Sequence, residues 1–240
     1  MKNRDYTKEI LNKKKYLTSN IDGFNRVYER LDNISLLENF YEDALIHGFS
    51  DNEVVATELE VFDGGFSEGI KYIPVSLVAC IESFFRFLFA HTIDSAPLYR
   101  TNAAKFDIKF SIKTAIDLEV NQLTIGEFIS HLLKVNNLDD IGSNMKQILG
   151  EDFFYGFKQW RVKLDKQPEL FPISDDEKNA HIFNNLSRLF ELRHCICHEA
   201  YTPLCDDDYR QLVSFSPYVR EFLYVTERFV EDHVSSHRSA

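Results

Sequence analysis

Apolar residues recur along most of this chain at intervals of three and four, the spacing that gathers them on one face of an α-helix. In RLDNISLLENFYEDAL, Leu31, Ile34, Leu37, Tyr41 and Leu45 fall on such a face and are expected to be buried together. Ser50-Asp-Asn-Glu53 has the form of a capping box that opens a further helix, and Gly64-Gly65 is expected to stop it. Residues 75–92 read as a core helix, because Leu77, Ile81, Phe84, Phe85, Leu88 and Phe89 cover most of its circumference. Glu82 and Arg86 interrupt it at i and i+4, the orientation that favours an ion pair along a helix. With those charges, VSLVACIESFFRFLFA is too short to cross a bilayer comfortably and reads as a buried helix of a bundle.

The period then changes. KFDIKFSIK alternates, with Phe106, Ile108, Phe110 and Ile112 on one side, and IDLEV continues the alternation at Ile116, Leu118 and Val120. Two alternating runs, with three residues between Ile112 and Ile116, predict a small β-hairpin over about 105–123. Helical signals return with the capping box Thr124-Ile-Gly-Glu127 and with short helical pieces between 141 and 165. QPELFP breaks the chain, and Ser174-Asp-Asp-Glu177 launches a helix whose apolar stripe is Ile182, Phe183, Leu186, Leu189 and Phe190. After the acidic turn Asp206-Asp207-Asp208, Ser216-Pro217 begins a last helix with Val219, Phe222, Leu223, Thr226, Phe229 and Val230 inward. The expected architecture is a mainly α bundle forming one domain over 1–240, with a hairpin-bearing elaboration between about 95 and 172.

Composition narrows the class. A 44% hydrophobic and 27% charged chain is globular rather than disordered, and 21 phenylalanines imply a core built on aromatic packing. The charged start MKNRDYTKEILNKKK does not read as a signal peptide, and four cysteines without one fit a reducing compartment, so a cytoplasmic location is expected, with no membrane partner. A net charge of −11 opposes broad electrostatic binding of nucleic acid, although a local basic groove is compatible with it. KQWRVKLDK at 158–166, with Lys158 and Arg161, is such a local basic patch and a weak candidate for substrate contact; the simpler reading is a solvated face, as for the basic N-terminus.

The densest chemistry lies in ELRHCICHEA at 191–200. Cys195, Cys197, His198 and Cys205 are ligand types that zinc favours, but Cys-x-Cys lacks the usual two-to-four-residue gap, and Cys80 is the only other thiol. No metal and no cofactor is therefore expected. Cys195, Ile196 and Cys197 can equally be small apolar fillers, with the cations complementing a helix C-terminus. Arg193 strains that account, because it lies on the buried stripe, seven residues after Leu186 and four after Leu189. An inward arginine needs a partner, a cleft or an interface. Arg193 and His198 stand about 140° apart on an ideal helix, so they converge only if the helix ends or distorts, or if two subunits supply one cleft.

Arg193-His194-Cys-Ile-Cys-His198, followed by Glu199-Ala-Tyr, resembles the arginine-polar-three-residues-histidine signature of the HEPN superfamily. SLVACIESFFRFL resembles the earlier core helix of such domains, which often holds an acidic residue. The resemblance covers mainly 75–93 and 180–234, and the N-terminal helices and the hairpin region do not align with it. It implies an HEPN-like helical bundle that dimerises, and a metal-independent endoribonuclease acting as a toxin or in antiphage abortive infection, with RNA as substrate and an antitoxin or other protein as a further partner. On this reading Arg193 holds the phosphate, His198 performs acid/base work, His194 orients the pair or touches phosphate, and Glu82 is a weak candidate to orient Arg193. The alternative is a catalytically silent HEPN-like module that dimerises or binds a partner protein.

Overall fold

The fold is seen in a computed structural model that describes residues 6–14, 20–47, 56–164, 175–198 and 210–238. The chain is mainly helical, and no strand occurs among the described residues. The helices are α1 (Tyr6–Lys14), α2 (Asn20–His47), α3 (Ala56–Ser95), α4 (Pro97–Ala103), α5 (Ile112–Val120), α6 (Ile125–Leu132), α7 (Leu138–Leu149), α8 (Phe153–Leu164), α9 (Asp175–His198) and α10 (Ser216–Arg238). Two compact units share them. One comprises Met1–Val27, Glu82–Asn179 and Leu223–Ala240, and the other Tyr28–Ile81 and Ala180–Phe222.

The first unit is built around the second half of α3. Phe84, Phe85 and Phe89 are fully buried there, and Phe84 meets Phe24 of α2 edge to face at 5.3 Å while Phe85 meets Phe153 at 6.4 Å. Edge-to-face contact sets the positive ring edge against the negative face, which is why an aromatic core favours it. Helix α6 opens with the expected capping box: the Thr124 hydroxyl accepts from the Glu127 amide at 3.0 Å and the Glu127 carboxylate accepts from the Thr124 amide at 2.8 Å. Both ends of α6 are also held by α3. Asp94 Oδ1 accepts from the Gly126 amide at 3.1 Å, and Arg86 Nη1 donates to the carbonyls of Ser130 and His131 at 3.2 and 3.1 Å. An anion at the N-terminus and a cation at the C-terminus both oppose the helix dipole. Elsewhere in this unit the buried Tyr99 hydroxyl lies 2.8 Å from His233 Nδ1, and His233 Nε2 lies 3.3 Å from Glu151. Burial pushes His233 below its ordinary range, against the upward pull of Glu151.

The hairpin expected over 105–123 does not form. Its first run is irregular and its second is α5, opened by Ser111, whose hydroxyl accepts from the Thr114 amide at 3.1 Å. Ile112, Ile116 and Val120 are also spaced by four, so the same residues satisfy a helix. Leu118 decides between the two, because it is the buried residue of α5 and packs with Ile10, Leu123 and Phe128.

In the second unit the core helix is longer than the pattern indicates. α3 runs unbroken through Gly64-Gly65 and Pro74. Each glycine costs about 1 kcal/mol relative to alanine, which slows a helix without stopping one anchored by a long apolar segment. Part of α3, Glu68–Ser95, is long and apolar enough by composition to cross a membrane, and 61% of its most apolar window is buried within the protein. The inner face of α2 also differs from expectation. Leu31 and Ile34 are buried, but Leu37 is exposed and Glu38 takes the inward position. Glu38 Oε1 accepts from the Ser216 amide at 3.1 Å, and the Ser35 and Ser216 hydroxyls meet at 2.8 Å. A carboxylate thus occupies the N-terminus of α10, where backbone N–H groups lack helical partners. Burial pushes the Glu38 carboxyl above its ordinary range; hydrogen bonds from Ser216 and from the Phe215 backbone pull it back, and Glu42 adds to the rise. The expected helix signals at Ser50–Glu53, Ser174, QPELFP and Asp206–Asp208 fall on positions outside the described residues.

Two measurements test this account. A Cβ at residue 126 would lie 2.5 Å from the Ala90 carbonyl oxygen, so Gly126→Ala must push α6 off α3. It is expected to lose about 1–3 kcal/mol of stability in a denaturant titration, the usual cost of overpacking. For Glu38, the raised folded pKa means that its neutral form is favoured in the native state. The parent should therefore gain stability relative to Glu38→Gln as pH falls from the raised value toward the unfolded 4.5. Urea titrations at stepped pH check the sign, and a flat difference would contradict the assignment.

Candidate functional site

The motif lies on α9, which remains helical through His198. Ile182, Leu186, Leu189 and Leu192 are buried on its inner side, and Phe183 meets Phe222 of α10 edge to face at 6.3 Å. His181 also lies against Tyr218 of α10, with ring centroids 5.2 Å apart. The α10 N-terminus held by Glu38 is thus the same segment that braces α9.

Arg193 is half-buried, as its place on the apolar stripe predicts, and it is engaged within the protein. His194 and His198 are exposed one turn apart, with ring centroids 4.6 Å apart and the ring planes tilted by 45°. Because α9 neither ends nor breaks before His198, the helical phase keeps Arg193 and His198 about 140° apart. One α9 therefore brings the two histidines together and does not bring Arg193 to the same face as His198. Glu191 lies at i−3 from His194 and i−7 from His198, so a carboxylate shares the histidine face; Arg188 Nη1 stands 3.5 Å from it. The i, i+3, i+7 spacing of Glu191 with the two histidines is the signal in the sequence that marks it as a neighbour.

The other candidate residues lie on other helices. Glu82 is half-buried in α3 and belongs to the first unit, whereas Arg193 belongs to the second. Lys158 is exposed on α8, but Arg161 is buried, so the solvated-face reading of this basic patch holds for Lys158 and fails for Arg161. Trp160 of the same patch donates from Nε1 to Asp232 at 3.3 Å. The thiols differ sharply. Cys80 is buried, and desolvation pushes it up to about 11, which suits neither a nucleophile nor a metal ligand. Cys195 and Ile196 are half-buried, consistent with packing roles, while Cys197 is exposed and is no filler. Among the described residues no three His, Cys, Asp or Glu side chains converge in a way that could hold a metal ion; Cys205 lies outside them.

What the arrangement can do chemically follows from its parts. A surface histidine pair offers two imidazoles whose ring nitrogens can donate or accept hydrogen bonds, and a guanidinium next in sequence to His194 offers a planar fork for an oxyanion. No protein-family model, no curated protein and no solved structure matches this chain.

The exposure pattern predicts thiol chemistry. In the native protein an alkylating reagent should modify Cys197 and leave Cys80 untouched, with Cys80 reacting only after denaturation. Peptide mass spectrometry after timed alkylation checks this, and fast native labelling of Cys80 would contradict its burial.

Proposed function

We propose that this protein is a metal-independent endoribonuclease of HEPN type, acting as a dimer and serving as a toxin or antiphage defence effector. The observation that carries the reading is the surface pair His194–His198 on an unbroken α9, beside the half-buried Arg193. A neutral imidazole takes the proton of a ribose 2′-hydroxyl as that oxygen attacks phosphorus. The bond to the 5′-oxygen breaks, and an imidazolium returns a proton to it. The products are a 2′,3′-cyclic phosphate and a 5′-hydroxyl, and DNA is refused because it lacks the nucleophile. Arg193 stabilises the charge that grows on the phosphoryl oxygens. His198 is assigned the acid/base role, with His194 supporting it or contacting phosphate. Since helical phase separates Arg193 from His198, the reading requires two copies of α9 to share one cleft, each lending the residue that the other directs away.

A second reading, a catalytically silent HEPN-like module that binds a partner protein, is favoured by a different feature of the same unit. Leu36 and Phe40 of α2 are 67% and 55% exposed and one turn apart, with Leu37 beside them. Contiguous apolar surface of this kind commonly marks a protein contact.

RNA cleavage by purified protein in excess EDTA separates the two. The ribonuclease reading expects cyclic-phosphate ends from the parent, and at least a hundredfold loss in Arg193→Ala and in His198→Ala, about the scale of one acid/base or oxyanion contact. It also expects that mixing the two inactive variants restores cleavage, because each mixed dimer retains one site with both residues intact. Silence from the folded parent across varied transcripts would favour the binding module. Silence from verified mixed dimers would sink the shared cleft.

A further inference from the structure

Helix α5 presents an unusual face. Its buried residue is Leu118, whereas Ile112, Ile116 and Val120 are 82%, 54% and 74% exposed. Spaced by four, they form one continuous apolar stripe along the helix. Phe110, 51% exposed, lies just before the helix, where its ring meets Phe128 edge to face at 5.5 Å. A stripe of this composition is normally buried against a partner, and the charges beside it indicate which one.

We infer that α5 is a self-association surface, and that it pairs antiparallel with α5 of a second copy of this chain. Lys113 and Asp117 lie on the same flank of the stripe, turned from Ile116 by about 60° and 100° at the helical 100° per residue. A two-fold axis through Ile116, perpendicular to the helix, reverses the direction of the second copy. It stacks Ile116 on the partner's Ile116 and Ile112 on the partner's Val120. Lys113 then lies within about 3 Å, measured along the helix axis, of the partner's Asp117, and the pairing is repeated by symmetry. On the opposite flank the two Glu119 carboxylates remain about 9 Å apart along the axis. A parallel pairing would instead turn this flank toward the partner's Glu119, leaving Asp117 about 3 Å from it along the axis and Lys113 about 9 Å away, so that like charges meet. The charge pattern of one helix is therefore complementary to itself under the operation that closes a dimer. Three apolar side chains per copy make a small interface beside the roughly 800 Å² per partner of stable complexes, so the association is weak and depends on concentration. The inference does not rest on the ribonuclease reading, which concerns α9.

Disulfide trapping tests it on the full chain carrying Cys195→Ser, Cys197→Ser and Cys205→Ser. Helices packed 8–10 Å apart bring facing Cα atoms within disulfide reach. Under mild oxidation Ile116→Cys should link to itself. Ile112→Cys and Val120→Cys should link poorly alone and efficiently when mixed. Equal self-linkage by all three, or linkage by none, would overturn the arrangement. Sedimentation supplies the second arm. Ile116→Glu, Lys113→Asp and Asp117→Lys should each lower the dimer fraction that depends on α5, and Lys113→Asp/Asp117→Lys together should recover it. Failure of that recovery would overturn the charge pairing. Arg193→Ala and His198→Ala should leave the trapped yield unchanged. Loss of trapping with RNA cleavage intact removes this inference alone, and trapping without cleavage removes only the ribonuclease reading.

Discussion

A helix end placed inside a protein leaves backbone N–H or C=O groups that must find partners, and here charged side chains of neighbouring helices supply them. Glu38 of α2 fills the N-terminus of α10, while Asp94 and Arg86 of α3 hold the two ends of α6. Each contact satisfies orphan groups and opposes the helix dipole in one step. The consequence for the second unit is direct. Glu38 fixes where α10 begins, and the first turns of α10 carry Tyr218 and Phe222, against which α9 lies. The motif helix is therefore oriented by a buried carboxylate on another element.

Glu38 and His233 titrate in opposite senses. Glu38 is held above its ordinary range, so its contribution improves as pH falls, whereas His233, held below its own, contributes less as pH falls through 6.5. One lies in each unit, and acid acts on the two with opposite sign.

The candidate site follows from the same rigidity. An unbroken α9 displays His194 and His198 side by side and keeps Arg193 half-buried. For the proposed ribonuclease, that geometry calls for a second copy of α9 to complete the site. The self-complementary stripe of α5 is a separate reason for two copies to meet, arising from exposed apolar area rather than from reactive groups.

The core was legible in the sequence wherever apolar spacing was unambiguous. Phe84, Phe85 and Phe89 of α3 and Val219, Phe222 and Phe229 of α10 are buried as their period requires, and Thr124–Glu127 caps α6 because the box is a purely local interaction. The placement of Arg193 on an inward stripe, with the two histidines sharing a face, also follows from a 3.6-residue period alone. Tertiary contacts decided the rest. Ile112, Ile116, Leu118 and Val120 fit both strand and helix, and only the packing of Leu118 against Ile10, Leu123 and Phe128 selects the helix. Leu37 and Glu38 are adjacent, and hydrophobicity chooses the leucine for the interior. The protein buries the glutamate, because an incoming helix end needs an acceptor more than the core needs another methyl group. No local pattern on α2 announces where α10 will begin.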